Sequence, residues 1–146
     1  MPLCKFCAIA GCNTVIPATA TYCKRHSKTK AERNKEYDTA RRDKAAKAFY
    51  NSTAWKETRR RVLVIDHGID LYIYATEGRV VRATLVHHII EYKDDATKAL
   101  DINNLISVSE ETHEGTIKRA YANEQSKKEM QQCLFNIIKH YRERKG

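Results

Sequence analysis

Leu85-Val86-His87-His88-Ile89-Ile90, followed by Asn104-Leu105 and then by His113, is the part of this chain on which its reading turns. Apolar and β-branched residues surround the histidine pair, which predicts strand over 80–90. Gly78 marks a turn that separates this run from a second strand expected at 71–75, Leu-Tyr-Ile-Tyr-Ala. Leu105–Val108 is a further short strand candidate. Ser109 is a good N-cap, with Glu110 and Glu111 at the positive end of a helix that would carry His113. Neighbouring side chains on a strand face opposite ways. At a strand end, one of two adjacent histidines can therefore turn to a metal while the other points to substrate. A third histidine on the following helix can complete the metal pair. Two imidazoles leave coordination positions open for water and phosphate oxygens, as Lewis-acid catalysis requires.

Working outward, residues 49–66 carry an apolar stripe (Phe49, Tyr50, Trp55, Val62, Leu63, Ile65) and read as a helix, with Ser52 or Thr53 as N-cap and Gly68 at its end. Before it, residues 28–48 are charged with scattered Ala and contain neither Gly nor Pro, the pattern of a solvated bridging helix. Asp94 to Asp101 reads as a loop with a helical turn at Ala96–Leu100. A final helix is expected from about Asn123 to Arg144, with Met130, Cys133, Leu134, Ile137, Ile138 and Tyr141 on one side. His67 and His140 fall to surface or helix-end roles, and Tyr72 and Tyr74 to the core or a strand face.

The net charge of +9 is concentrated. Lys24 to Arg61 holds 14 basic and five acidic residues, and in the remainder the charges cancel. Such a block is the footprint of a polyanion binder. Arg41, Arg42, Lys44 and Lys47 on the bridging helix, and Arg59, Arg60 and Arg61 beyond it, are the expected phosphate contacts. Arg79 and Arg82 flank the histidine strand and complete the set. No apolar run is long enough for a membrane span and no secretory leader is evident, so a soluble, cytoplasmic protein with no membrane partner is expected.

Four of the five cysteines lie within the first 23 residues. Cys7-x4-Cys12-x10-Cys23-x2-His26 offers two short-spaced ligand pairs, the donor set of a tetrahedral structural zinc. Gly11 beside Cys12 allows a tight turn at the metal. Cys4-x2-Cys7 also has ligand spacing and is the alternative pair. A segment this short cannot bury a sufficient core, so metal would supply its folding free energy.

The strand ending in His87-His88, the Asn104-Leu105 pair and a histidine nine residues after Asn104 together resemble the HNH endonuclease family. Upstream, "FYNSTAWKETRRRVL" (49–63) looks like the helix that precedes the finger in phage-encoded members, and "CAIAGC…YCKRH" (7–26) is similar to their N-terminal zinc module. The resemblance implies an α+β fold: a ββα-metal (HNH) finger with flanking helices, preceded by a small zinc-binding module and a basic bridging helix. The expected organisation is zinc module 1–27, bridging helix 28–48, nuclease domain 49–122 and C-terminal helix 123–146. The implied roles are general base for His88, metal ligands for His87 and His113, and loop anchoring for Asn104. The implied activity is metal-dependent hydrolysis of double-stranded DNA in a host-cell cytoplasm, in association with phage DNA packaging and with terminase and portal proteins as partners.

Two departures from the family pattern carry expectations of their own. The four positions where many members bind a structural zinc in the finger are here Leu71, Tyr74, Ser109 and Thr112. Apolar packing by Leu71 and Tyr74, and bracing by the C-terminal helix, would replace it. His87 stands where many members have Asp, which moves the preference of the catalytic ion from Mg²⁺ toward Mn²⁺, Ni²⁺, Co²⁺ or Zn²⁺. The competing readings are a non-catalytic zinc-containing DNA-binding protein, a homing nuclease and an RNA-binding protein of ribosome type.

Overall fold

The computed structural model describes residues 3–27 and 30–145. The expected start of the basic helix at Lys28 and the final residue, Gly146, lie outside that range. The chain divides into two compact units, 1–45 and 46–146.

In the first unit, β1 (Cys4–Phe6) pairs antiparallel with β2 (Val15–Pro17), Lys5 opposite Ile16. Gly11, at φ +83°, turns the chain so that Cys12 faces back toward Cys7. Little apolar material is buried here: Ile16 packs among Cys7, Cys12 and Cys23, with Ala20 beside them. Helix α1 (Lys30–Tyr50) follows. Residues 31–45 of this helix are exposed throughout, as its charged, unpatterned sequence leads one to expect.

The second unit begins within the last turn of α1. Ser52 separates α1 from α2 (Thr53–Ile65): its hydroxyl donates to the Phe49 carbonyl at 2.6 Å and accepts from the Trp55 amide at 3.2 Å. One side chain thus closes one helix and caps the next. Phe49 and Tyr50 accordingly belong to α1, not to the helix expected over 49–66. Helix α2 buries Trp55 and Val62 and ends where Gly68, at φ +68°, returns its amide to the Leu63 carbonyl at 2.8 Å.

The expected strand at 71–75 is instead helix α3 (Leu71–Glu77). Its ends explain the reversal. Asp70 accepts the Ile73 amide at 2.9 Å as N-cap, and Gly78 takes the left-handed C-cap at φ +68°. A start signal and a stop signal eight positions apart outweigh the β-propensity of Leu-Tyr-Ile-Tyr. Within the expected strand at 80–90, only β3 (Leu85–His88) is regular, with one isolated bridge from Arg82 to Ile69.

β3 pairs antiparallel with β4 (Leu105–Val108), placing His88 opposite Leu105 and His87 opposite Ile106. Ser109 then accepts the Thr112 amide at 3.2 Å and starts the helix of the finger. That helix widens to π geometry over Thr112–Ile117 and closes with α4 (Lys118–Ala120). The result is α+β with a ββα arrangement, preceded by a Cys/His module.

Helix α5 (Glu124–Lys145) covers this arrangement. Leu134 and Ile138 join Leu71, Ile89, Ile106, Val108 and Ile117 in the main core. Arg142 forks onto Asp66 at 2.9 and 3.0 Å and donates to the Ile102 and Leu105 carbonyls at 2.8 and 2.7 Å, tying α5 to the end of α2 and the start of β4. At Leu71, Tyr74, Ser109 and Thr112, where the resemblance would place zinc ligands, the structure has a joint of another kind. Leu71 is fully buried, and the Asp70 carboxylate accepts the Ser109 amide at 2.8 Å and the Ser109 hydroxyl at 2.7 Å. Tyr74, expected to pack there, is 40% exposed, with its ring edge-on to that of Tyr141. Leu134→Ala, at a site with no solvent exposure, is expected to cost about 3 kcal/mol in urea unfolding, the size of a buried leucine truncation.

Candidate active site

Because β3 alternates, its two histidines look in opposite directions. His88 faces α2, where its ring stacks on Trp55 (centroids 4.7 Å apart, 22° between planes) with Phe49 and Tyr50 at its sides. His88 Nε2 lies 2.9 Å from the Ala99 carbonyl. A carbonyl only accepts, so Nε2 carries the hydrogen and Nδ1 is the free base. Burial pushes the His88 pKa down, against the opposing pull of the Ala99 carbonyl, which favours the neutral ring.

His87 faces the finger helix. Its ring centre lies 5.2 Å from that of His113, at 60°. Burial, reinforced by His113 and His88, pushes its pKa down to about 3. His87 Nε2 is buried and has no hydrogen-bond partner among the described residues. A buried, neutral, unpartnered imidazole nitrogen beside a second imidazole fits a divalent ion.

Asn104 is 2% exposed and works as a clamp. Its Oδ1 accepts the Ile90 amide at 2.8 Å, and its Nδ2 donates to the Ile90 carbonyl at 3.0 Å and the Lys98 carbonyl at 3.3 Å. Both ends of the loop between the strands are thereby held, including the carbonyl-bearing segment that orients His88.

His87, His88 and His113 open onto one cleft of about 290 Å³, lined also by Tyr50, Glu91, Tyr92 and Lys93. A larger groove of about 1100 Å³ lies between α3 and α5 but gathers no comparable set of catalytic groups. Sequence reasoning did not single out Glu91, Tyr92 or Lys93. Their position directly after the histidine strand was the available signal.

In the first unit, Cys7, Cys12, Cys23 and His26 bring their ligand atoms within 4.8 Å of one another. His26 Nδ1 lies 3.3 Å from Cys23 Sγ and 3.5 Å from Cys7 Sγ. Thr14, beside Cys12, holds that thiol down to about 6, favouring the thiolate a metal needs. Cys4 is exposed and is not part of this cluster.

The basic residues divide. Arg41, Arg42, Lys44, Lys47, Arg60, Arg61 and Arg82 are exposed. Arg59 spends one guanidinium nitrogen on the Thr84 carbonyl at 3.0 Å, fastening α2 to the segment before β3. Arg79 is engaged by Glu77, its Nε 2.9 Å from Oε2. Among the described residues, no helix is long and apolar enough to cross a membrane.

A ββα arrangement with two imidazoles converging at a strand end, and a third set beside them, has the make-up of a metal-dependent nuclease. Comparison with known proteins agrees. The chain is similar to the HNH endonuclease of the deep-sea thermophilic bacteriophage GVE2, whose crystal structure contains a manganese ion. Identity is 34% and the TM-score 0.56, over 60% of this chain and 95% of the phage enzyme. The chain belongs to the HNH endonuclease family. Residues 1–48 match a family described as a domain of unknown function, DUF8602. No curated protein matches the chain. The likeness and the Cys3His cluster together support a metal-dependent, nuclease-like function.

Proposed function

We propose that the protein is a DNA endonuclease that hydrolyses phosphodiester bonds with His88 as general base and one divalent ion held by His87 and His113. The observation that carries this reading is the division of labour across β3. One histidine has its Nε2–H fixed on a carbonyl and a free Nδ1, and the other has a buried, unpartnered Nε2 in a ring that packs against the ring of His113.

In this mechanism His88 Nδ1 takes a proton from a water molecule, whose oxygen attacks phosphorus as the bond to the 3′ oxygen breaks. Trp55 and the Ala99 carbonyl keep the His88 ring in place, and Asn104 keeps Ala99's loop in place. A divalent ion, when bound, stabilises charge on the phosphate and on the departing oxygen. Its identity follows from the donors: two imidazoles favour Mn²⁺, Ni²⁺, Co²⁺ or Zn²⁺ over Mg²⁺. Exposed Arg41, Arg42, Lys44, Lys47, Arg60, Arg61 and Arg82 bind the backbone of double-stranded DNA without reading sequence, and Arg59 and Arg79 join them with the capacity left by their protein partners. Cys7, Cys12, Cys23 and His26 hold a structural zinc.

Supercoiled plasmid tests the reading. Nicking is expected with Mn²⁺ or Ni²⁺, weaker nicking with Mg²⁺, and none with chelator. Salt-dependent DNA binding without cutting under any metal would instead make the chain a zinc-containing DNA-binding protein. The reading extends to a phage DNA-packaging role in the host cytoplasm with terminase and portal proteins as partners. Its support is the likeness to a phage enzyme, and copurification with co-expressed terminase and portal checks it.

A further inference from the structure

The metal-side histidine of the cleft is held from the C-terminal part of the chain. Tyr121, just after α4, sets its ring against His87 edge to face, with centroids 5.2 Å apart and 72° between planes. Its hydroxyl donates to the Ile89 carbonyl at 2.6 Å, and Gln131 of α5 donates to the same oxygen at 3.1 Å. Lys127 Nζ sits 5.6 Å from the centre of the Tyr121 ring and pairs with Glu91 at 3.0 Å and Asp94 at 2.7 Å, both in the segment that follows β3.

His87 Nε2 makes no hydrogen bond that would set the rotation of its ring. Packing must set it, and the two rings packed on it are those of His113 and Tyr121. His113 is itself a proposed ligand on a partly exposed face, while Tyr121 is anchored by its hydroxyl and weighted by Lys127.

We propose that Tyr121 is a positioning residue for the metal face of the cleft, fixing the His87 ring and the backbone two residues beyond it so that Nε2 is presented toward His113 before an ion arrives. This rests on the reading of His87 and His113 as ligands. A ligand held in its bound orientation loses less freedom when the ion binds, so the gain appears as affinity.

The test is a calorimetric Mn²⁺ titration of the full chain, with one equivalent of zinc already in the N-terminal module and no DNA present. Wild type is compared with His113→Ala, Tyr121→Phe and Tyr121→Ala. Wild type is expected to show a site that His113→Ala abolishes. Tyr121→Ala is expected to weaken it by about 10–100-fold, the usual effect of removing a group that orients a ligand. Tyr121→Phe, which keeps the ring and loses the anchor, is expected between the two with an unchanged melting temperature. Should Tyr121→Ala not fold, Tyr121→Phe decides alone. If Tyr121→Phe and every folded Tyr121 variant bind Mn²⁺ as wild type does, the positioning role is wrong and the nuclease reading stands. If wild type shows no site sensitive to His113→Ala, both fall.

Discussion

His88→Ala is expected to slow plasmid nicking by about 10³-fold, within the span measured for loss of a positioned general base. Three features of the site converge on that size. Burial lowers the pKa of the ring below the ordinary histidine value, which favours the neutral form that accepts a proton. Its tautomer is set by the Ala99 carbonyl, so the accepting nitrogen is Nδ1 in every copy. Its plane is set by Trp55, so no rotation has to be arrested during reaction. Alanine removes all three at once and leaves His87, His113 and the basic residues untouched. DNA affinity and Mn²⁺ affinity are therefore expected within about threefold of wild type, since neither depends on contacts of His88. Added imidazole is expected to restore part of the rate by supplying the missing base. Cutting by His88→Ala at a rate within tenfold of wild type would remove His88 from the base role.

Stripping metal from the N-terminal module is expected to unfold it. Among the described residues, the buried side chains there are Ile16 and three prospective ligands, Cys7, Cys12 and Cys23. Without an ion the module buries only one isoleucine and three small sulfur side chains, far short of the conformational entropy of some twenty ordered residues. With zinc, binding free energy on the order of 10 kcal/mol becomes folding free energy. Cys23→Ser removes the sulfur closest to the His26 ring and is expected to behave like chelation. In amide correlation spectra, resonances of 3–27 should collapse to unfolded positions in either case, while those of the second unit, with its own core on Leu71, Ile106 and Leu134, stay dispersed. A module that remains dispersed after zinc is removed would mean that its hydrogen bonds and Ile16 suffice.

What could be read in the sequence was what is local or periodic. The histidine pair sits between β-branched neighbours, and Asn104 and His113 follow at fixed spacing, so the elements that carry them were legible without coordinates. The structure gathers those residues at one cleft and one clamp. The four residues of the N-terminal Cys/His cluster were legible for the same reason, because they come as short-range pairs. Helix α3 was not. Leu71 to Ala75 has the composition of a strand, and only the pairing of Asp70 with Gly78 marks it as a capped helix. Tyr121 and Arg142 were not legible either. Each looks like one more residue on a helical surface until its partners arrive, Ile89 for one and Asp66 for the other, 32 and 76 positions away. Residues that support a site across such distances leave no spacing to recognise.

The joint between Asp70 and Ser109 has a chemical consequence. A finger cross-linked by thiolates ages with its surroundings, because peroxide and thiol-seeking ions attack sulfur first. Here the equivalent joint is built from a carboxylate, an amide and a hydroxyl, none of which those reagents touch. Four of the five sulfhydryls are gathered in the N-terminal module. Thiol-directed damage therefore has no sulfur to attack at this joint; in the second unit the one cysteine is Cys133, on α5.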